Sequence, residues 1–276
     1  MHRFFSFAIT CVVVYLSVFP GQSVAGPVIE RIRTNQELVL GTPGDFPPFS
    51  VISELGDLIG FDVSLARELA KSMGVNLRIE RLPFSELIST LKSGQVDMIM
   101  SGLSVTPKRN MDIAFVGPYG NSGQAFIGQK EIIESLGEPK DLNRADLKIG
   151  ALQDTTAELT LKALMPQAEP VLTKSLDELL IKLLRGEIDG LISDYPYCKV
   201  AEYRYKSQGL LVYDKILSFE QLGIGVLPDD PLFVNLLTNY LNLLVGSGAL
   251  KAMQEYWFKS SDWIVALPDL TIFKDF

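Results

Sequence analysis

The chain has 276 residues, 47% of them hydrophobic and 21% charged, with a formal net charge of −8. That balance suits one large or two modest cores, and Lys and Arg are scattered rather than blocked, which argues against a nucleic-acid partner. Once the N-terminal segment described next is removed, one Cys (Cys198) and no His remain, which excludes an internal disulfide, a Ser-His-Asp or Cys-His centre and a His-based zinc site.

Residues 1–25 read as a signal peptide. Met1-His2-Arg3 is a short basic start, Phe4 to Phe19 is mostly apolar, and Ser23-Val24-Ala25 offers a small-x-small cleavage site before Gly26. The apolar run is too short for a good membrane anchor. A secreted, periplasmic protein is expected, and loss of Arg3 takes the formal charge from −8 to −9.

The mature chain then alternates strands and helices. Glu37–Gly41 is a short apolar strand followed by a turn-rich loop, Thr42–Ser50. Phe61–Met73 places Leu65, Leu69 and Met73 on one helical face and stops at Gly74. Asn76–Leu82 alternates as a strand, Ser85–Ser93 is a helix capped by Ser85 and ended by Gly94, and Val96–Met100 is a buried strand. A second unit repeats the order: strand Asp146–Gly150, helix Thr155–Leu164 before Pro166, and a strand from Val171. A further strand follows Ser218. A long helical stretch then runs from Pro231, breaks near Gly246-Ser247-Gly248 and ends at Trp257-Phe258, leaving Ser260–Phe276 as a tail.

Within this order lies an internal echo. SELISTLKSGQVDMIMSG (Ser85–Gly102) returns 92 positions later as DELLIKLLRGEIDGLISD (Asp177–Asp194). Each copy reads as helix, Gly, Val-Asp or Ile-Asp, then a short apolar strand, and Asp97 and Asp189 read as turn or strand-entry residues. The first copy runs on past Ser101-Gly102 to Arg109; the second ends in Ser193-Asp194.

Alternating strands and helices predict parallel sheets with right-handed crossovers, and ligands bind beyond the carboxyl ends of such strands. A cation at one strand end and an anion at the matching end of the other suit a zwitterion. Alone, Arg109 reads as a surface arginine and Asp194 as a helix cap; their places beyond the echoed strands favour the ligand role. Tyr195-Pro196-Tyr197 reads as a cleft gate or a turn.

Three further stretches carry a resemblance. GTPGDFPPFS, GFDVSLARELAKSMGV and SGLSVTPKRNMDIAFVGPY, followed by KIGALQDTTAEL, GEIDGLISD and ALKAMQEYWF, resemble the polar amino-acid-binding proteins of bacterial ABC importers over roughly Glu37 to Phe258. The resemblance implies an α/β fold of two Rossmann-like lobes joined by a two-strand hinge, the type II periplasmic binding fold. Lobe 1 would comprise 26–122 and 222–258 and lobe 2 would comprise 123–221, with 259–276 a C-terminal tail and the hinge near Ser122–Gln124 and Phe219–Leu222. It further implies a monomer without a cofactor that holds a free amino acid and delivers it to a membrane permease.

Carried over by position, Arg109 resembles the α-carboxylate clamp, assisted by Ser104 and the main chain near Ser101 and Gly102. Thr155 and Thr156 resemble second-lobe carboxylate contacts, and Asp194 the α-ammonium partner. Phe46 and Phe84 match the aromatic residues flanking the ligand side chain. Pro43 stands where the family often has an acidic residue, and Asp45 lies two positions later, which weighs against a cationic side chain. Asp154 stands where Gly is common. Two other classes share the pattern. The fold also resembles cyclohexadienyl dehydratases, but such a lyase needs a general acid in the cleft, and Tyr195-Pro196-Tyr197 stand where its glutamate is expected. A sensor module is the third class.

Overall fold

The computed structural model describes residues 26–270; the expected signal peptide lies outside them. Two five-stranded sheets form the body. The first runs in the order Asn76–Arg81, Glu37–Thr42, Met98–Ile99, Glu220–Val226, Ala114–Ser122, and the second in the order Glu169–Thr173, Lys148–Leu152, Gly190–Asp194, Gln124–Gln129, Leu210–Val212. Each sheet has a parallel centre, where Glu37–Thr42 pairs with both of its neighbours and Lys148–Leu152 with both of its own. The sheets are mixed rather than wholly parallel. Ala114–Ser122 leaves the first sheet and Glu220–Val226 returns to it as an antiparallel pair, with Ser122 opposite Glu220. Gln124–Gln129 enters the second sheet antiparallel to Gly190–Asp194. Two adjacent crossings running in opposite directions impose this.

The helices follow apolar periodicity. Phe61–Met73 buries Phe61, Leu65, Ala66 and Leu69 and ends at Gly74 in the left-handed conformation. Pro231–Ser247 and Ala249–Lys259 meet at Gly248, also left-handed. The echoed helices are Leu87–Lys92, entered through a 3-10 turn at Phe84–Glu86, and Leu176–Leu184. Elements without a clear period escaped sequence reasoning: helices Pro27–Asn35 and Lys130–Ser135, and a small sheet of Asp45–Phe46, Ser50–Ile52 and Leu58–Ile59. Tyr195-Pro196-Tyr197 is not a turn but the start of the helix Tyr195–Tyr205, with Pro in the first turn, where its missing N–H costs nothing. The segment beyond Lys259 makes a 3-10 turn at Ile264–Ala266 and buries Trp263, Leu267 and Leu270. It touches both halves: Glu54 N–H donates to Ala266 O at 2.8 Å, and Leu270 N–H to the Tyr205 hydroxyl at 3.3 Å.

The echo is a physical repeat. Asp97 N–H donates to Val39 O at 2.9 Å, while its Oδ2 accepts Val39 N–H at 2.7 Å. Asp189 does the same to Lys148, at 2.9 Å and 2.7 Å. Each aspartate thus clamps the entry of its strand to the neighbouring parallel strand of its own sheet. Asp97 is buried and also pairs with Arg31, whereas Asp189 is partly exposed. Asp97→Ala should therefore cost about 1–3 kcal/mol by leaving a buried N–H without a partner, and Asp189→Ala clearly less. Urea denaturation of the two variants checks the order.

Candidate functional site

The strand ends converge on a tight pocket between the sheets, with a cavity volume of about 20 Å³, room for about one water and well below the usual range for occupied small-molecule sites, about 300–1,000 Å³. Eight of the ten sequence candidates line it: Phe46, Phe84, Gly102, Ser104 and Arg109 on the first-sheet side, and Thr155, Thr156 and Asp194 on the second. Leu152, Ala157, Leu176 and Ser193 complete the wall.

Two candidates lie elsewhere. Ser101 is fully buried and its hydroxyl has no partner. Asp45 reaches across to the second lobe, where its Oδ2 accepts from Ser175 Oγ at 2.9 Å and from Leu176 N–H at 3.2 Å. It thereby caps the start of the Leu176–Leu184 helix in trans, and its oxygen is not offered to the cavity.

Arg109 sits in the short helix Pro107–Asn110, whose first turn is capped by Thr106. Its Nη1 donates to Ser104 O at 3.0 Å, and its guanidinium carbon lies 5.3 Å from the centre of the Phe84 ring, in cation–π range. Burial lowers its pKa, and the carboxylates of Glu220 and Asp194 oppose that. Gly102, beside it, has φ +53°, and a Cβ there would come within 3.0 Å of the Phe46 and Phe49 rings. The Gly102 N–H points to buried Asp62 Oδ2 at 2.7 Å, so this backbone donor anchors the loop and is not free for a ligand.

On the opposite wall, Thr155 is the N-cap of the helix Thr156–Leu164, and its hydroxyl donates to Leu152 O at 2.6 Å. Asp154 takes the left-handed conformation, φ 62°, that glycine adopts more easily, and its N–H is received by Glu158 Oε2 at 2.7 Å. Asp194 ends its strand at the N-cap position of the next helix but makes no side-chain cap. Its Oδ1 accepts from Ser122 Oγ at 2.6 Å and its Oδ2 from Gln124 Nε2 at 3.2 Å. Burial pushes its pKa up to about 7, with nearby Glu220 adding to the rise and Ser122, Gln124 and Arg109 opposing it.

Sequence reasoning missed Glu220. From the returning strand, its Oε2 accepts from Ser104 Oγ in the first lobe and from Thr156 Oγ1 in the second, the latter at 2.9 Å, while its Oε1 accepts from Ser218 Oγ at 2.9 Å. One carboxylate therefore ties the two walls together from behind. The available signal was a glutamate at the crossing, but its partners lie 116 and 64 positions away.

Comparison with known proteins agrees with this geometry. Residues 38–260 match the bacterial extracellular solute-binding proteins, family 3. The chain is 28% identical to ABC transporter arginine-binding protein 1 of Escherichia coli, over 81% of this chain and 91% of that one. It is 31% identical to the arginine-binding periplasmic protein of Mannheimia haemolytica, over 69% and 76%. A structure from Wolinella succinogenes complexed with lysine aligns with TM-score 0.79 at 32% identity, covering 83% of this chain and 99% of that one. An ancestral amino acid-binding protein, described as a precursor of cyclohexadienyl dehydratase, aligns with TM-score 0.78 at 29% identity, covering 84% and 99%. With the match spanning most of the chain and both walls of the cavity, the protein belongs to the bacterial extracellular solute-binding proteins of family 3.

Proposed function

We propose that this protein binds a free α-amino acid between its lobes and delivers it, as a monomer outside the cytoplasm, to the permease of an ABC transporter. The carrying observation is that Arg109 and Asp194, at the strand ends of different sheets, line one pocket. In this reading the Arg109 fork receives the α-carboxylate, because planar guanidinium matches planar carboxylate in two bonds. The start of the Thr156–Leu164 helix adds the positive end of its dipole. Asp194 receives the α-ammonium. Phe46 and Phe84 enclose the side chain. The lobes, 26–122 with 222–258 against 123–221, then close on the ligand because it meets every polar group only when they are shut. The names of the relatives, arginine- and histidine-binding components of transporters, support the class.

A lyase reading is favoured by the dehydratase-precursor neighbour. It requires a proton donor aimed at the substrate. Both Asp194 oxygens already accept hydrogen bonds, from Ser122 and Gln124, a setting that suits a countercharge better than an acid. Absence of turnover of prephenate or arogenate by the purified mature protein is the expected result.

Calorimetry with the standard amino acids tests the main reading. At least one should bind, its decarboxylated amine should not, and Arg109→Ala should weaken binding by 100-fold or more, about 3 kcal/mol, with the melting temperature preserved. Unchanged affinity in Arg109→Ala would remove the clamp from the mechanism.

The raised Asp194 pKa gives a pH signature. Below about 7 the carboxyl carries a proton that must leave before an ammonium docks, so affinity should fall as pH falls, by up to about tenfold per unit. Above 7 it should level off. Asp194→Asn should bind more weakly and lose this slope. In the protein without ligand the sign reverses. The folded state holds this proton more tightly than the unfolded chain, whose ordinary value is 3.8, so Asp194 lowers stability as pH rises from about 4 to 7. Thermal melts of wild type against Asp194→Asn across that window check it.

A further inference from the structure

The cavity wall also bears on the ligand's side chain. We propose that the bound amino acid carries an uncharged, apolar side chain, in contrast to the basic ligands in the relatives' names; this rests on the amino-acid-binding reading above.

A lysine or arginine side chain brings a second cation into a closed site, and that cation needs acceptors of its own. Asp194 is the one carboxylate lining the cavity among the described residues, and it is committed to the α-ammonium. Asp45, the nearby candidate on the first lobe, spends its Oδ2 on Ser175 and on the Leu176 N–H across the lobe boundary. Glu220 lies behind the wall, with Oε2 held by Ser104 and Thr156 and Oε1 by Ser218.

Cation–π contact does not replace the missing acceptor. The Phe84 ring already carries the Arg109 guanidinium at 5.3 Å, so a second cation there would meet a like charge. Phe46 packs on Phe49 at 5.0 Å and on Tyr197 at 5.8 Å. Leu152, Ala157 and Leu176 add aliphatic surface, and the remaining polar lining, Ser104, Thr155, Thr156 and Ser193, is neutral hydroxyl. A charged side-chain end enclosed here loses its hydration and meets neutral hydroxyls but no second carboxylate in return, whereas an alkyl chain gains from the apolar surface.

Norleucine and lysine test this cleanly, since they share a four-carbon side chain and differ by the terminal ammonium. The mature protein, unfolded and refolded to strip any carried ligand, is titrated with norleucine, leucine and methionine, and with lysine, arginine and histidine. The expected result is that the apolar set binds and that lysine binds at least about 100-fold more weakly than norleucine. Lysine or arginine binding as tightly as norleucine, or tighter, overturns the apolar assignment while leaving amino-acid binding intact. Binding by none of the six overturns the apolar assignment, and a screen in which no standard amino acid binds overturns the amino-acid reading as well.

Discussion

Carboxylates that find donors across the lobe boundary tie the two halves of this structure together. A buried carboxylate without donors is costly, and here the donors come from across the boundary. Asp45, on the first lobe, is satisfied by the start of a second-lobe helix. Glu220, at the crossing, is satisfied by one hydroxyl from each wall. Separating the lobes would return these oxygens to water, so opening exchanges protein hydrogen bonds for hydration at small net cost, of order 1 kcal/mol per bond. Such contacts keep closure reversible, as delivery of a ligand requires.

The same carboxylates set the electrostatics of the cavity. Glu220 supports the Arg109 charge and opposes ionisation of Asp194. It accepts hydrogen bonds from the Ser104 and Thr156 hydroxyls, and the Thr156 oxygen in turn accepts from Gln124 Nε2 at 3.2 Å. A zwitterion brings one charge of each sign to two groups of opposite sign. In the proposed reading its ammonium would relieve the burial cost on Asp194, and its carboxylate would do the same for the buried guanidinium of Arg109. Binding and closure are in this way coupled through desolvation as much as through contact.

Much of the fold was legible because it is written in period and punctuation. Phe61–Met73 and the break at Gly248 were expected at the residues where they occur, since apolar spacing and a left-handed glycine are local signals. Eight candidates line one pocket: Arg109 and Asp194 were legible from their places beyond the echoed strands, and the other six from the family resemblance. What could not be read was contact between distant groups. Asp45 faces a helix 131 positions away, and no spacing rule reports that. The Gly102 N–H was expected to serve the ligand, yet Asp62, 40 residues earlier, takes it. The antiparallel edges were missed for a related reason: helix–strand alternation predicts parallel pairing, but a chain that enters and leaves a lobe through neighbouring strands runs them in opposite directions.

The internal repeat separates what the fold requires from what the ligand requires. Asp97 and Asp189 make the same two-bond clamp to the neighbouring parallel strand of their sheets, and left-handed Gly94 and Gly186 end the matching helices. These shared features lie at the strand entries, remote from the cavity, and serve folding in both halves. At the strand exits the copies diverge, into a loop that carries Arg109 on one side and into Asp194 on the other. Equivalent exits would present like charges across the cleft, which would repel each other and offer a dipolar molecule no preferred orientation. Opposite charges on equivalent scaffolds would fix one orientation, with the side chain of the proposed ligand directed at the remaining wall, which combines phenylalanine, leucine and alanine with serine and threonine hydroxyls.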